Sequence, residues 1–361
     1  MAPPTGRASA LHTPMTGRER ELAAIRHETP DRIPTDVICI ENGPAIAALL
    51  GIEEAAVADR LGIDGRIVSA GYTGELRTAP DGTVCNEWGT LDTGDYGTAH
   101  WYPLGPATTV REVEAYAWPS ADRYDYEAAA AVAQAWGTEY AVRGPYWRPL
   151  FCRVCDLFGM EEALAKLALE PAVFEAALEV AGEQTADFCA RLLAACGEAM
   201  PILCLGDDFA TQRGLMISPE QWRRLLKPRY AKLFAVGRRA GKAVWFHSCG
   251  DITAVLPDLV DIGMEVWETV QLHALPLSPE ELQREYGRHL AFFGGVNTQR
   301  LPFVAPEAVR VEVRRRIEVL GEGGGYICGP DHHLKPDVPA ENAVALFDEA
   351  RAFRRAGYTE P

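Results

Sequence analysis

A chain of 361 residues that is 48% hydrophobic and 24% charged has enough apolar side chain for one large barrel or two ordinary domains. Its 35 Lys and Arg against 51 Asp and Glu leave a formal charge of −16, which argues against nucleic acid or anionic membrane as general partners. No run is long and apolar enough to span a bilayer. The nine cysteines are scattered and odd in number, so a disulfide framework is not expected and reduced thiols in a cytoplasm are.

Residues 1–17 are rich in Pro, Thr, Ala and Gly without the apolar core of a secretory signal, and read as a loose tail. Residues 18–361 read as one domain, because no linker divides them. A helix is expected over 18–27, a strand over 36–40 and a helix over 44–61. Residues 71–118, rich in Gly, Thr, Trp and Tyr, read as a β-hairpin insertion, and 160–197 as helix. From about residue 200 the pattern becomes regular. Ile202-Leu203-Cys204-Leu205 is a strand, and Ser218-Pro219-Glu220 caps a helix running to about 240. Residues 243–246 are a strand, and Ile252, Val255, Leu256, Leu259 and Val260 recur at helical spacing. Strands follow at 266–270, 290–293 and 326–328, with helices opening at Ser278-Pro279 and covering 306–320 and 340–355. Five β-then-α units in succession imply a parallel sheet. The simplest architecture is an α/β (β/α)8 TIM barrel with an elaborated N-terminal part that includes the hairpin insertion. An open doubly wound sheet is the alternative, although no Gly-x-Gly-x-x-Gly follows a strand.

In a barrel the chemistry sits at the C-terminal ends of the strands. The polar residues there are, in order, Asp207 and Asp208, His247 and Cys249, Gln271 and His273, Asn297 and Gln299, then Asp331, His332 and His333. His247 and Cys249 lie two apart at a strand end, so they point to one side, and imidazole with thiol is half of a soft-metal site. Convergence on the barrel axis brings His332, or alternatively Cys328, toward them. His247, Cys249 and His332 would give a nitrogen–sulfur–nitrogen set for zinc, with Gln271 or a water fourth. The competing reading is a small buried Cys beside a hydrogen-bonded core His.

Asp207 and Asp208 face opposite ways in extended backbone, and one of them is expected to serve as a base or hold a substrate cation. Arg213 reads either as a clamp for a carboxylate or as a surface arginine. Tyr146 and Trp147, with Arg143 and Arg148, read either as a pocket rim or as core with snorkelling arginines. Cys152-Arg153-Val154-Cys155 has redox spacing, but its apolar flanks point to ordinary packing.

These motifs resemble the uroporphyrinogen decarboxylase superfamily, which also holds zinc-dependent cobalamin:thiol methyltransferases. The resemblance spans nearly the whole chain. It is carried by Arg18-Glu19-Arg20 through Pro30-Asp31-Arg32-Ile33-Pro34, by Gly206-Asp207-Asp208, and by Ile217-Ser218-Pro219 with Lys227-Pro228-Arg229. The His-x-Cys-Gly stretch, Gly294-Gly295-Val296-Asn297 and Gly324-Gly325-Tyr326 complete it. It implies a (β/α)8 barrel in which His247 and Cys249 hold zinc and His332 replaces a later cysteine. Gln271 stands where some relatives supply a glutamate. The glycine-and-arginine-rich N-terminal segment with which true decarboxylases hold tetrapyrrole carboxylates is not found. The leading expectation is therefore a zinc-dependent methyltransferase that moves a methyl group from a corrinoid, or another methyl donor, to a thiol. A corrinoid protein is the expected partner and a homodimer the expected assembly. Asp208, and secondarily Asp207, would orient the incoming group, while Arg213, Gln271, Asn297 and Tyr146 would bind substrate. A cofactor-free decarboxylase is the second reading, and a non-catalytic subunit that docks a corrinoid protein the third.

Overall fold

The computed structural model describes residues 14–91, 100–145 and 148–353. Its centre is a seven-stranded parallel sheet whose strands lie side by side in chain order: β1 (Gly65–Ile67), β2 (Ala141–Pro145), β3 (Ile202–Gly206), β4 (Ala243–His247), β5 (Val266–Val270), β6 (Ala291–Val296) and β7 (Tyr326–Pro330). The five strands expected after residue 200 are all present, the last two extended to Val296 and Pro330.

These strands are apolar throughout because both faces are covered. Alternate residues go to different cores. Ala141, Ile202, Cys204, Trp245, Val266, Ala291, Phe293 and Ile327 pack on the inside of the curled sheet, with Ala24 and Ile25 of the first helix against them. Val142, Leu203, Val244, Phe246, Trp267, Phe292, Tyr326 and Cys328 belong to the larger core shared with the outer helices, for example Leu233, Phe234, Val313 and Ile317.

The first helix is Gly17–Ile25, fixed by a capping box between Thr16 and Glu19. Of the expected tail, residues 1–13 lie outside the described residues, and Met15 donates its backbone N–H to Asp31 at 3.0 Å. The expected strand over 36–40 is a correction. Here the chain makes isolated bridges, Thr35 with Cys328 and Ile40 with Leu334. Pro34 has no N–H to give, and the Asp36 carboxylate takes the N–H of Val37 at 2.7 Å and the guanidinium of Arg143. Residues 34–36 nevertheless touch both edges of the sheet. Asp36 donates to Cys328 O at 3.1 Å and Cys328 to Pro34 O at 2.9 Å, while Asp64 donates to Thr35 O at 2.8 Å.

Several expected helices are broken. The one over 44–61 becomes Gly43–Leu50 and Val57–Leu61, because Gly51 adopts φ +65° and ends the first. The one from 218 divides at Leu226 into Pro219–Leu225 and Lys227–Arg239, where Pro228 opens the second piece. The span 160–197 divides at Pro171 into Met160–Leu169 and Pro171–Cys196. In the region 71–118 the described residues make one antiparallel bridge, Thr78 with Val84. Gly71–Tyr72 pairs with Tyr124–Asp125 beyond the expected insertion. Edge-to-face contacts of Trp118 with Trp88 and Tyr116 supply packing there. No helix among the described residues is long and apolar enough to cross a membrane.

Inside the sheet lies a buried charge cluster. Arg143 pairs with Asp36 and sits over the ring of Trp245 at 4.7 Å. Burial, with the charge of Asp36 beside it, pushes the Glu21 carboxyl well above its usual range. Neutralising Asp36 alone (Asp36→Asn) therefore leaves Glu21 able to ionise against Arg143. The double change Glu21→Gln/Asp36→Asn strands a buried guanidinium and is expected to cost about 3–5 kcal/mol in urea unfolding. A double variant no less stable than the single one would show that the cluster is not a unit.

Candidate metal centre

All seven strands run the same way, so their C-terminal ends and the loops after them lie together. His247 is the last residue of β4 and faces inward, two residues beyond Trp245. The register sets it beside Gly206 of β3 and Glu268 of β5. Its Nδ1 meets Glu268 Oε1 at 2.9 Å, and the other Glu268 oxygen accepts from the Trp245 indole. The remaining nitrogen, Nε2, lies 3.5 Å from Cys249 Sγ and 3.5 Å from Asp208 Oδ1.

Cys249 is held by the turn that follows the strand. Its backbone N–H donates to Asp208 Oδ1 at 2.7 Å, and the N–H of Gly250 donates to Gln271 Oε1 at 2.8 Å. Gly250 has φ +82°, and a Cβ there would fall 2.5 Å from the carbonyl oxygen of Thr211. The turn therefore requires glycine.

Burial opposes charge on His247, yet Cys249, Asp208 and Glu268 together hold its imidazole well above the usual range. Burial also works against Glu268, but its bonds to His247 and Trp245 and the charge of Arg143 keep the carboxyl below its usual range. Burial pushes the Cys249 thiol up, with His247 opposing.

The donor set fits zinc. The ligand atoms of Asp208, His247 and Cys249 all lie within 4.8 Å of one another. A tetrahedral zinc with ordinary bond lengths separates nitrogen from sulfur or oxygen by roughly 3.3–3.5 Å, and both separations from Nε2 are 3.5 Å. Glu268 behind His247 gives the carboxylate–histidine arrangement typical of metal ligands. Cys39, Glu41 and His333 also gather within the same reach, but Lys335 stands 3.3 Å from Glu41 and already meets that carboxylate.

The two adjacent aspartates part as expected. Asp208 joins the cluster. Asp207, expected as a secondary catalytic group, is buried and turned away. Its carboxylate accepts N–H bonds from Leu150 (3.2 Å), Phe151 (2.7 Å) and Cys152 (2.7 Å) and the hydroxyl of Tyr230 (2.6 Å). It therefore secures the start of helix Phe151–Phe158. Cys328 is likewise not brought to His247. Strand alternation sends Ile327 inward and Cys328 into the outer core, where burial pushes its thiol up to about 12.

His332 is nearer. Its ring centroid is 6.4 Å from that of His247 and 4.5 Å from that of His333, on which it stacks. Burial and the neighbouring His247 push it down to about 4, so it is a neutral imidazole. His332 and Cys249 line one cleft of about 410 Å³, together with Gln212, Gln271, Gln299 and Phe303. The amide nitrogen of Gln271 is 3.9 Å from Cys249 Sγ and 3.3 Å from Asp331 O.

Asn297 instead closes its own turn, accepting from Gln299 N at 2.9 Å. Arg213 is exposed in the turn between the paired segments Ala210–Thr211 and Gly214–Leu215. Tyr146 lies outside the described residues. Glu268 is the site residue that sequence reasoning missed, a lone carboxylate inside Val266-Trp267-Glu268-Thr269-Val270 that only the pairing with β4 brings to His247.

The fold is a parallel α/β sheet with imidazole, thiol and carboxylate gathered at the C-terminal end of its strands. The uroporphyrinogen decarboxylase (URO-D) family matches residues 105–353, and the chain belongs to that family. Two methylcobamide:CoM methyltransferases MtaA are similar to it. One, from Methanosarcina barkeri (strain Fusaro / DSM 804), is 24% identical over 194 residues, which is 53% of this chain and 52% of the relative. The other, from Methanosarcina barkeri, is 22% identical over 191 residues, with the same coverage. The chain thus spans about half the length of the curated relatives it matches. A solved methyltransferase from Methanosarcina mazei shares the fold, with a TM-score of 0.63 and 18% identity over 93% of this chain and 98% of that one.

The separate tasks of the aspartates can be measured. Asp207→Ala leaves three N–H groups and a buried hydroxyl without their acceptor, and is expected to cost at least about 2 kcal/mol in urea unfolding. Any metal that the folded chain holds should be retained. Loss of metal from a stable Asp207→Ala protein would contradict this assignment.

Proposed function

We propose that this chain is a zinc-dependent methyltransferase that takes a methyl group from a corrinoid carried by a partner protein and gives it to a thiol. The observation that carries the reading is the gathering of His247, Cys249 and Asp208 ligand atoms within 4.8 Å of one another, with Nε2 at 3.5 Å from both Cys249 Sγ and Asp208 Oδ1 and Nδ1 tied to Glu268. The similarity to methylcobamide:CoM methyltransferases supports the reaction class. In this proposal His247, Cys249 and Asp208 hold the ion, and His332 lines the cleft through which a substrate arrives. Asp208, expected to orient the incoming group, becomes a ligand.

A bound zinc ion would lower the pKa of the acceptor so that it reacts as a thiolate at neutral pH. The chain's own residues prepare for this. Glu268 keeps the His247 proton on Nδ1, which leaves Nε2 as the donor atom. Gln271 fixes the turn that carries Cys249 and adds no charge. His332, neutral and stacked on His333, forms one wall. The acceptor sulfur then takes the methyl group, and the donor keeps the electron pair of the bond that breaks. Decarboxylation without a cofactor leaves the paired His247 and Cys249 with no task, which favours methyl transfer.

Two structural readings accompany the function. Residues 34–36 are proposed as the eighth strand position, closing the sheet into a (β/α)8 barrel. The bonds of Asp36 to Cys328 in one edge strand, and of Thr35 to Asp64 just before the other, support it. A reducing, cytoplasmic setting is also proposed, since the nine cysteines are all free and Cys249 must remain reduced to act as a ligand.

Metal analysis of the purified chain tests the proposal. About one zinc per chain is expected. His247→Ala and Cys249→Ser should lose it, while Glu268→Gln should bind it about 10–100-fold more weakly. With methylcobalamin and 2-mercaptoethanol as probes, demethylation followed by absorbance should be lost in the same variants. Full zinc occupancy in both ligand variants, or a metal-loaded protein that never demethylates the probe, would overturn the reading.

A further inference from the structure

A second cavity, of about 150 Å³, opens beside the ends of β1, β2 and β3 and shares no lining residue with the cleft at Cys249. Its walls include Ser69, Glu87, Trp88, Tyr124, Arg148 and Arg153. Arg153 is carried by helix Phe151–Phe158, and its guanidinium lies over the Trp88 ring at 4.4 Å. Its side chain is 12% exposed. The nearest acid, Asp156, is 3.9 Å away, beyond hydrogen-bonding distance, and that carboxylate already takes Arg148 at 2.9 Å. Arg153 Nε is buried without a hydrogen-bond partner among the described residues.

A guanidinium cannot shed its proton to escape burial, and its five donors form a fork suited to a carboxylate. Asp156 and Glu87 act on it through charge alone, and neither takes a hydrogen bond from it among the described residues, so its fork is open to a partner from outside the chain. The rest of the wall says what kind. Trp88, Tyr124 and Phe188 offer flat apolar surface, with Tyr124 and Phe188 at 4.5 Å centroid separation. The cavity is smaller than the cleft at Cys249, about 150 against 410 Å³, which suits a small acid.

We propose that this cavity binds a small planar carboxylate, its oxygens on Arg153 and its flat body against Trp88 and Tyr124. The seat is independent of the zinc reading, but it is joined to that site through the backbone. Asp207 secures the first turn of the helix that carries Arg153, and the next residue, Asp208, holds the N–H of Cys249. An occupant of the cavity is thereby placed on the same end of the sheet as the proposed metal centre.

Benzoate, titrated into the full chain and followed by saturation-transfer NMR and tryptophan fluorescence, is the test. Saturable binding is expected, with neutral benzamide at least tenfold weaker. Arg153→Gln should weaken benzoate at least tenfold while zinc content stays unchanged, and Arg153→Lys, which keeps the charge and most of the packing, should weaken it less. Cys249→Ser should bind benzoate like the parent even where it loses zinc, so failure of the two proposals can be told apart. Benzoate that does not bind the parent chain, that binds a folded Arg153→Gln equally well, or that is lost with Cys249→Ser would overturn the assignment.

Discussion

The mouth of the sheet depends on one buried carboxylate. Glu268 has no exposure, and both its oxygens are engaged, one with His247 and one with the Trp245 indole. Arg143 lies over the same Trp245 ring and pairs with Asp36, which has Glu21 as its neighbour. A column of polar groups thus runs through the inside of the sheet, from the first helix to the site, between side chains that are otherwise apolar. Such a column adds little net stability, because each charge must be taken out of water. It fixes orientation instead. With Nδ1 committed to Glu268, the His247 ring has one free nitrogen and one direction in which to offer it.

The loop after β3 does the complementary task. Asp207 turns outward and gathers the first N–H groups of helix Phe151–Phe158, while Asp208 turns inward to His247 and Cys249. The thiol of Cys152 packs against the same loop, 3.1 Å from Asp208 N. The Cys152-Arg153-Val154-Cys155 segment is therefore packing and not redox chemistry, and its two thiols are buried. One dipeptide thus serves the outer helix through Asp207 and the inner cluster through Asp208.

The strands after residue 200 were legible because a strand covered on both faces is a short apolar run with Gly or a charged residue at its end. The His247/Cys249 pair was legible for the same reason, since polar groups just past such a run can only lie at the mouth. Glu268 was not, because its strand reads as core and only the register with β4 brings it under His247. Cys328 misled through the same ignorance of parity, as nothing local says which of Ile327 and Cys328 faces inward. The N-terminal third was least legible. There Pro34 and Asp36 replace ladder bonds with side-chain bonds, and Gly51 ends a helix that the apolar pattern would carry on.

Charge explains why an amide at residue 271 suits the proposed zinc site better than an acid. Asp208 and the Cys249 thiolate would together cancel a divalent ion, while His247 contributes a neutral nitrogen. Glu268 is offset behind it by Arg143 and the Nδ1 proton. A carboxylate at residue 271, as close to Cys249 as the Gln271 amide is at 3.9 Å, would leave the cluster negative before any substrate arrived. An acceptor that must enter as a thiolate would then meet like charge in a site with little water to screen it. Gln271 keeps the geometric role, accepting from Gly250 N and holding the turn, without that repulsion.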